Sequence, residues 1–388
     1  MNTRIPLSSP SITNSERSAV LAVLETNTLS IGPCLSSFES EFKSFTRSTS
    51  AVAVNSGTSA LHLAARSLGI GPGDEVITTP FSFVSSANCC LFEGAKPVFV
   101  DIDARTYNID VSRIPAAVSR RTRAILPVHV FGRPCDMPAV VDAAAPKRLN
   151  VIEDACEAIG ARINDRHVGT FGDIGVFAFY PNKQITTGEG GMVVTNRDDI
   201  GRFARSARNQ GRGEGAAWLS HEQLGYNYRL SEMNCALGVA QMKRLPLILR
   251  KRAAAAELYT GLLSDSMPEV IPPASADPGT EISWFVYVVR LADDFSRSDR
   301  DSILQHLHAS GIGCSNYFSP IHLQPFYRDQ FGFAPGDFPI TEFVAERTIA
   351  LPFFTDIGVD QIVEVCRTLK QVMKSVVRDR RTAVVVGA

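Results

Sequence analysis

Short apolar segments alternate with helix-like segments through the first half of the chain, and this alternation restricts its possible folds more than any other feature. The segment "AVAVNSG" (51–57) leads into "TSALHLAARSLG", in which apolar residues recur at helical spacing. Further short apolar segments lie at 74–80, 96–103, 123–132, 150–155, 175–180 and 191–196. Apolar strands that alternate with helices predict a mostly parallel sheet buried on both faces, which is the α/β fold class.

The pattern changes after about residue 245. A long helical segment leads to a proline-rich link at 267–279, and then come the strand-like "ISWFVYVVRL" and two amphipathic helical segments. We therefore predict a large α/β domain over 1–245 and a smaller α+β domain over 246–388. Near the start of the chain, Thr13 and Glu16 stand at the spacing of a capping box, which predicts the beginning of a helix.

Composition and charge exclude several classes of function. The chain carries 39 basic and 40 acidic side chains, and a net charge of −1 excludes the basic surface of a general nucleic-acid binder. No segment approaches the roughly 18 apolar residues of a membrane-spanning helix, and the first residues lack the apolar core of a signal peptide. The eight cysteines show no CxxC spacing, so we expect reduced cysteines in a cytoplasmic protein and no zinc site.

Three predicted strands end in polar residues, and ligands bind at the carboxyl ends of strands in an open α/β sheet. Gly57 and Thr58 follow the first strand, where they predict either a phosphate-binding helix start or an ordinary helix cap. "NVIEDA" ends in Glu153 and Asp154, one of which must point inward as a paired carboxylate or as a structural cap. Lys183 follows "GVFAFYPN" and is either a nucleophile of lowered pKa or an exposed turn lysine.

Taken together, the three strand ends favour the functional interpretation of each. Pyridoxal phosphate needs an anion site for its phosphate, a carboxylate that keeps its pyridine nitrogen protonated, and an amine that reacts with its aldehyde. A phosphate-binding helix start, a strand-end carboxylate and a lysine on one sheet supply all three. The sequence therefore predicts a pyridoxal phosphate site.

Five longer motifs carry a resemblance to a known family. "GDEVITTPFSFVSSAN", "VNSGTSALHLA", "VIEDACEAIGA", "NKQITTGEGGMVVTN" and "GYNYRLSEMNCALGVAQ" resemble the DegT/DnrJ/EryC1/StrS family of pyridoxal phosphate-dependent sugar aminotransferases, and the resemblance runs from 5–12 to 351–354. It implies the fold type I aminotransferase architecture, with a mostly parallel sheet in the large domain. It also implies a homodimer whose active sites lie at the subunit boundary.

The resemblance implies a role for each matching residue near the cofactor. Lys183 would bind the cofactor aldehyde and move the proton, and Asp154 would pair with the pyridine nitrogen. Gly57 and Thr58 would hold the phosphate. Phe83 occupies the place where the family stacks an aromatic ring on the cofactor, although a phenylalanine after a strand is otherwise typical of core packing.

Further matching residues concern the neighbouring subunit and the substrate. Asn227 in "GYNYR" would reach the phosphate from the other subunit, and with Arg229 it would border the sugar pocket. Tyr317 and His322 in "NYFSPIHLQPFY" lie where the family lines that pocket. We expect His129 to be structural, and the role of Glu189, in local pairing or in shaping the Lys183 loop, stays open.

Two positions are informative when compared with the family pattern. One departs from the pattern, and the other distinguishes members that act on different substrates. Ala178 stands where the family often has a serine whose hydroxyl donates to the phosphate, so other donors must replace it. Glu157, three residues after Asp154, resembles members that act at C4 of the sugar, whereas glutamine is typical of enzymes acting at C3 or on cyclitols. Two carboxylates this close favour protonation of one of them, and a protonated Glu157 could donate to the ring oxygen of the cofactor.

The sequence thus predicts an aminotransferase that takes an amino group from glutamate or glutamine and passes it to a nucleotide-linked keto-deoxysugar, at C4. A C3-keto sugar or a cyclitol ketone is the alternative substrate. Sugar dehydratases that resemble the family replace the lysine with histidine, so Lys183 disfavours that chemistry. An inactive regulatory or scaffold protein is the alternative of another class, and a decayed site would be expected to have lost Lys183 or Asp154.

Overall fold

The computed structural model describes residues 3–213, 215, 220–264 and 266–386. The strands in this part of the chain are β1 (Ser50–Val54), β2 (Glu75–Thr78), β3 (Lys96–Phe99), β4 (Thr122–Ile125), β5 (Asn150–Asp154), β6 (Arg162–Ile163), β7 (Arg166–His167), β8 (Ile174–Ala178), β9 (Gly191–Thr195), β10 (Val270–Ile271), β11 (Thr280–Glu281), β12 (Tyr287–Leu291) and β13 (Thr348–Leu351). The α-helices are α1 (Asn14–Leu24), α2 (Pro33–Thr46), α3 (Gly57–Ser67), α4 (Ser85–Phe92), α5 (Ile114–Ala117), α6 (Met137–Ala144), α7 (Asp198–Arg208), α8 (Glu232–Ser264), α9 (Arg297–Ala309), α10 (Pro325–Phe331), α11 (Pro339–Ala345) and α12 (Val359–Val386).

A seven-stranded sheet forms the centre of the fold, with the order β1-β9-β8-β5-β4-β2-β3. The strands from β8 to β3 in this order are parallel, and β9 runs antiparallel to both β1 and β8. Successive residues of a strand point to opposite faces. In β1, Val52 and Val54 pack with α3, whereas Ala51 and Ala53 pack with α2. The predicted α/β architecture with a mostly parallel sheet covered on both faces is therefore confirmed.

Two small sheets accompany the central one. The order β10-β12-β13 forms the first, and it packs with α8, α9 and α12 around buried residues such as Tyr259 and Tyr287. The order β11-β6-β7 forms the second. Among the described helices, none is both long enough and apolar enough to cross a membrane.

The predicted domain boundary falls within a continuous helix. Residue 245 lies inside α8, and the N-terminal segment returns to the C-terminal part, where Ile5 packs in the same cluster as Tyr259. The division into 1–245 and 246–388 stays a prediction. The capping box expected near the start is present, because Thr13 caps α1 and its backbone N–H donates to the Glu16 carboxylate over 2.7 Å.

Candidate active site

A cavity of about 480 Å³ lies at the carboxyl ends of the central strands. The segments that follow β1, β2, β5 and β8 contribute to it, as expected for an open α/β sheet. The predicted site residues that line it are Gly57, Thr58, Phe83, Asp154, Glu157, Lys183 and Tyr317. The structure therefore brings together residues that are distant in the sequence, including all three strand ends that the sequence singled out.

The start of α3 forms one wall of the cavity. Ser56 caps this helix and accepts from the backbone N–H of Ser59 over 3.0 Å, so the first turn offers the N–H groups of Gly57 and Thr58 to a ligand. A β-carbon on Gly57 would lie 2.7 Å from the β-carbon of Ala178, so only glycine fits there. Backbone N–H groups at the positive end of a helix form a suitable site for a phosphate.

Asp154 ends β5 and is 4% exposed. Its Oδ2 accepts from the Ser86 hydroxyl over 2.7 Å, and its Oδ1 accepts from the backbone N–H of Cys156 over 3.1 Å. Ser82 lies behind Ser86, with their hydroxyl oxygens 2.8 Å apart. A buried carboxylate held by two donors and lining a cavity is well placed to pair with a cation such as a protonated pyridine nitrogen.

The neighbouring carboxylate, Glu153, points away from the cavity. It is fully buried and accepts from the backbone N–H groups of Gly169 and Gly172, each over 2.7 Å. His129 Nε2 lies 3.2 Å from the same carboxylate, while its Nδ1 accepts from the backbone N–H of Cys135. The proton of this imidazole therefore sits on Nε2 and is donated to Glu153. The sequence left open which acid points inward; alternation along β5 places Asp154 in the cavity.

Lys183 enters the cavity from the loop after β8. Its ammonium nitrogen lies 3.9 Å from the centre of the Phe285 ring and 3.5 Å from Glu157 Oε1. The second oxygen of Glu157 accepts from the backbone N–H of Phe131 over 2.9 Å. Burial raises the pKa of Glu157, and the neighbouring ammonium of Lys183 partly opposes that rise. The rise in pKa is in the direction that protonation requires, and the protonated state of Glu157 stays a prediction.

Two aromatic side chains contribute to the cavity. Phe83 is 61% exposed, so it is an open apolar surface in the cavity wall rather than part of the core. The Tyr317 ring stacks on that of Phe318, with ring centres 5.2 Å apart, and burial raises the pKa of Tyr317. An exposed ring beside a phosphate-binding helix start can stack on a planar cofactor.

The remaining predicted residues lie outside the cavity lining. His322 is fully buried, with Nε2 3.0 Å from Glu342 Oε1 and its ring against Phe338, so the structure gives it a place in packing rather than in the cavity. Asn227 is exposed, and its carbonyl lies 3.4 Å from the side-chain nitrogen of Asn55. Arg229 is half-buried and donates to Asn209 over 3.1 Å. The roles given to Asn227 and Arg229 stay predictions, and the sugar-pocket role of His322 is a prediction against which its packing argues.

Sequence reasoning missed several residues that line the same cavity. They are Ser82, Ser85, Ser86, Asn182 and Phe285. The serines belong to "FSFVSSAN", and a run of hydroxyls directly after a strand is a signal that could have been used. Phe285 had no such signal, because it comes from a segment 102 residues after Lys183 (285 − 183) and its sequence predicts only a strand. Glu189 also lines the cavity.

The arrangement fits pyridoxal phosphate by the chemistry of its donors. A helix start with a glycine too close to Ala178 to carry a side chain suits the phosphate, and the buried carboxylate of Asp154 suits the pyridine nitrogen. Lys183 supplies the amine, and Phe83 supplies an open aromatic face. Among the described residues, no group of three or more His, Cys, Asp or Glu side chains could hold a metal ion.

Comparisons with known proteins agree with this chemistry. The chain is 37% identical to GDP-perosamine synthase of Caulobacter vibrioides over 95% of this chain and 98% of that protein. It is 39% identical to UDP-N-acetyl-3-dehydro-alpha-D-glucosamine 3-aminotransferase of Acidithiobacillus ferrooxidans over 82% of this chain and 83% of that protein. Among solved structures, the pyridoxal phosphate form of Streptococcus pneumoniae Spr1654 matches with a TM-score of 0.91 and 26% identity, covering 96% and 99% of the two chains.

The predicted fold type and cofactor are both confirmed by these matches. Spr1654 is known in a pyridoxal phosphate form and in the pyridoxamine phosphate form, which are the two states that an aminotransferase alternates between. The model of the family of DegT/DnrJ/EryC1/StrS aminotransferases matches residues 10–370. The chain belongs to the DegT/DnrJ/EryC1/StrS aminotransferase family and is an aminotransferase that uses pyridoxal phosphate.

Proposed function

We propose that this aminotransferase moves an amino group from glutamate or glutamine to the C4 keto group of a nucleotide-linked keto-deoxysugar. The observation that carries the proposal is the single cavity in which Lys183, Asp154 and Glu157 meet. The two relatives named above support a nucleotide-linked sugar, because one carries GDP and the other UDP in its name. Reduced cysteines support the cytoplasm as its location, since all eight are free thiols.

Each of the three residues has a distinct part in such a reaction. When bound, pyridoxal phosphate supplies an aldehyde that takes up the amino group and passes it on, and a pyridine ring that acts as an electron sink. Asp154, fixed by Ser86 and the Cys156 N–H, holds a proton on the pyridine nitrogen by charge pairing. The Lys183 amine moves the proton between the substrate carbon and the cofactor. Glu157, in its protonated form, would donate to the hydroxyl oxygen that the cofactor ring carries.

We assign the keto group of the substrate to C4 because of Glu157. Its carboxyl lies between the Phe131 N–H and Lys183, so it faces the reacting side of the cavity. The preference for C4 rests on this residue. A keto group at C3 is the alternative, and the 3-aminotransferase relative at 39% identity favours it. A cyclitol ketone is the remaining alternative.

A second copy of the chain is part of the proposal. Tyr180 lines the cavity and is 52% exposed, and Leu224, three residues before Asn227, is 67% exposed. Large apolar side chains this exposed indicate that another surface covers them. We infer a homodimer in which Asn227 of each subunit reaches the phosphate in the other, with Arg229 beside it at the sugar pocket.

Hybrid dimers test the shared site directly. Lys183→Ala and Asn227→Ala each damage both sites of a homodimer, but in a hybrid one site has Lys183 and Asn227 both intact. Mixing the two variants under conditions of subunit exchange should recover about a quarter of wild-type turnover, because half of the dimers are hybrids with one good site each. No recovery, with exchange shown by mass spectrometry, would contradict a shared site.

A reverse assay tests the substrate. The enzyme loaded with pyridoxal phosphate is mixed with matched 4-amino and 3-amino nucleotide sugars, and absorbance follows conversion of the cofactor to its amine form. We expect faster conversion with the 4-amino sugars, and none for Lys183→Ala. Faster conversion with the 3-amino sugars would refute the C4 assignment, and no conversion with any nucleotide sugar would refute the substrate class.

A further inference from the structure

The phosphate end of the cavity lacks a hydroxyl at residue 178. Ala178 ends β8 and lies directly against the start of α3, since a β-carbon on Gly57 would come within 2.7 Å of the Ala178 methyl group. A serine at this position would therefore present its hydroxyl to the first turn of α3. Alanine supplies only a methyl group, so β8 offers no side-chain donor to a phosphate at this point.

Ser85 brings a hydroxyl to the start of α3 from another element. It is the first residue of α4, it lines the cavity, and its Oγ lies 2.8 Å from the Oγ1 of Thr58 on α3. The two residues are 27 positions apart in the sequence, and their hydroxyl pair joins the starts of two helices. The positive ends of α3 and α4 therefore meet at one point of the cavity.

The chemistry of this pair leaves one hydrogen available. Two hydroxyl groups carry two hydrogens, and a hydrogen bond between them uses one. The second hydrogen belongs to the hydroxyl that accepts, which is Ser85 when Thr58 donates to it, and it can be donated to an anionic oxygen that approaches from the cavity. The other two serines of this segment differ, because the hydroxyls of Ser82 and Ser86 form a chain that ends on Asp154. Ser85 is thus the serine of this segment whose hydroxyl faces the helix starts.

We propose that Ser85 supplies the phosphate hydrogen bond that Ala178 cannot make, with Thr58 as its partner. The proposal rests on the pyridoxal phosphate site and assigns a further cofactor-binding residue within it. Ser85 and residue 178 are then interchangeable sources of one hydroxyl. Losing it from one position should be repaired by adding it at the other.

The test is a cofactor titration of apoenzyme variants, read by the absorbance of the lysine-bound cofactor. We compare Ser85→Ala, Ala178→Ser and the double variant, using pyridoxal phosphate and, in parallel, pyridoxal, which lacks the phosphate. Ser85→Ala should weaken pyridoxal phosphate binding about 10- to 100-fold, the range for a hydrogen bond to a charged group, while pyridoxal binding stays unchanged. The double variant should recover most of this loss.

Ser82→Ala is the matched control, because it removes a serine hydroxyl from the same segment on the Asp154 side. It should change the dissociation constants of pyridoxal phosphate and pyridoxal by the same factor. An equal loss of both ligands in Ser85→Ala would make Ser85 a structural residue and overturn the proposal, as would unchanged binding of pyridoxal phosphate. Failure of the double variant to recover binding would overturn the exchange with Ala178.

The titration contains no sugar and no amino donor. A wrong substrate assignment would therefore leave its result untouched, whereas wild-type enzyme that binds pyridoxal as tightly as pyridoxal phosphate would mean that the cavity has no phosphate site. The two failures can be told apart in the wild-type arm before any variant is measured.

Discussion

Glu153 and Asp154 are adjacent carboxylates for which the structure predicts opposite mutational effects. We consider the matched substitutions Glu153→Gln and Asp154→Asn, which remove the charge and keep the shape. Glu153 accepts from two backbone N–H groups, which can only donate, and from His129 Nε2, which stays a donor while His129 Nδ1 accepts from the Cys135 N–H. Asp154 accepts from the Ser86 hydroxyl, which can rotate to accept instead of donate, and from one backbone N–H.

The magnitudes follow from these partners. In Glu153→Gln the new amide NH₂ faces buried donors, and an unsatisfied buried donor costs about 1–3 kcal/mol, so we expect a loss of about 3 kcal/mol. An unfolding entropy of about 2.1 cal/mol/K per residue gives about 0.8 kcal/mol/K for 388 residues, so the midpoint of thermal unfolding (Tm) should fall by about 4 °C. Asp154→Asn keeps an oxygen for the Cys156 N–H, and its Tm should change by less than about 1 °C.

Catalysis should respond in the reverse order. An opposite charge next to a titrating group shifts its pKa by about 1–3 units, so loss of the Asp154 charge should lower turnover about 10- to 1000-fold. The assay is turnover with an amino donor and a keto acceptor, combined with Tm measured on apoenzyme by calorimetry. Glu153→Gln should keep turnover within about threefold at a temperature where it is folded. A variant pair in which Glu153→Gln loses turnover and keeps its Tm would refute the assignment of the two acids.

Three further predictions concern single residues. Borohydride should fix the cofactor covalently on Lys183, and Lys183→Ala should lose both this adduct and turnover while keeping its fold; an adduct on another lysine, found by peptide mapping, would exclude the assignment. Burial raises the pKa of Glu157 above 4.5, so the stability that the protonated Glu157 contributes is present below pH 4.5 and is lost as the pH rises through the folded-state pKa. The Tm of apo Glu157→Gln relative to apo wild type should therefore rise between pH 4.5 and the folded-state pKa. A Tm difference that does not change with pH would contradict this prediction. His322→Asn should lower Tm but leave the KM for the sugar within about twofold, whereas Tyr317→Phe should raise that KM. A large change of KM in His322→Asn would show that His322 contributes to the sugar pocket.

Local patterns in the sequence were sufficient for the sheet, its helices and three parts of the site. Apolar strands have to be buried on both faces, and polar residues at their carboxyl ends have to meet at one edge, so Lys183, Gly57 and one carboxylate of the pair Glu153 and Asp154 could be placed together in advance. The capping box at Thr13 and Glu16 could be predicted for the same reason, because its partners lie within one turn. The family resemblance added Phe83 and Tyr317, both of which line the cavity.

Other features depend on contacts between segments far apart in the chain. Whether Glu153 or Asp154 points inward depends on which face of β5 meets the loop at 169–172, and one residue of register exchanges them. His322 is enclosed by Glu342 and Phe338, a packing that no local spacing predicts. The sequence by itself determined the types of group that the site must contain. Only the tertiary structure decided that Ser85 stands beside Thr58, because that contact joins two helices whose positions are set by the packed sheet.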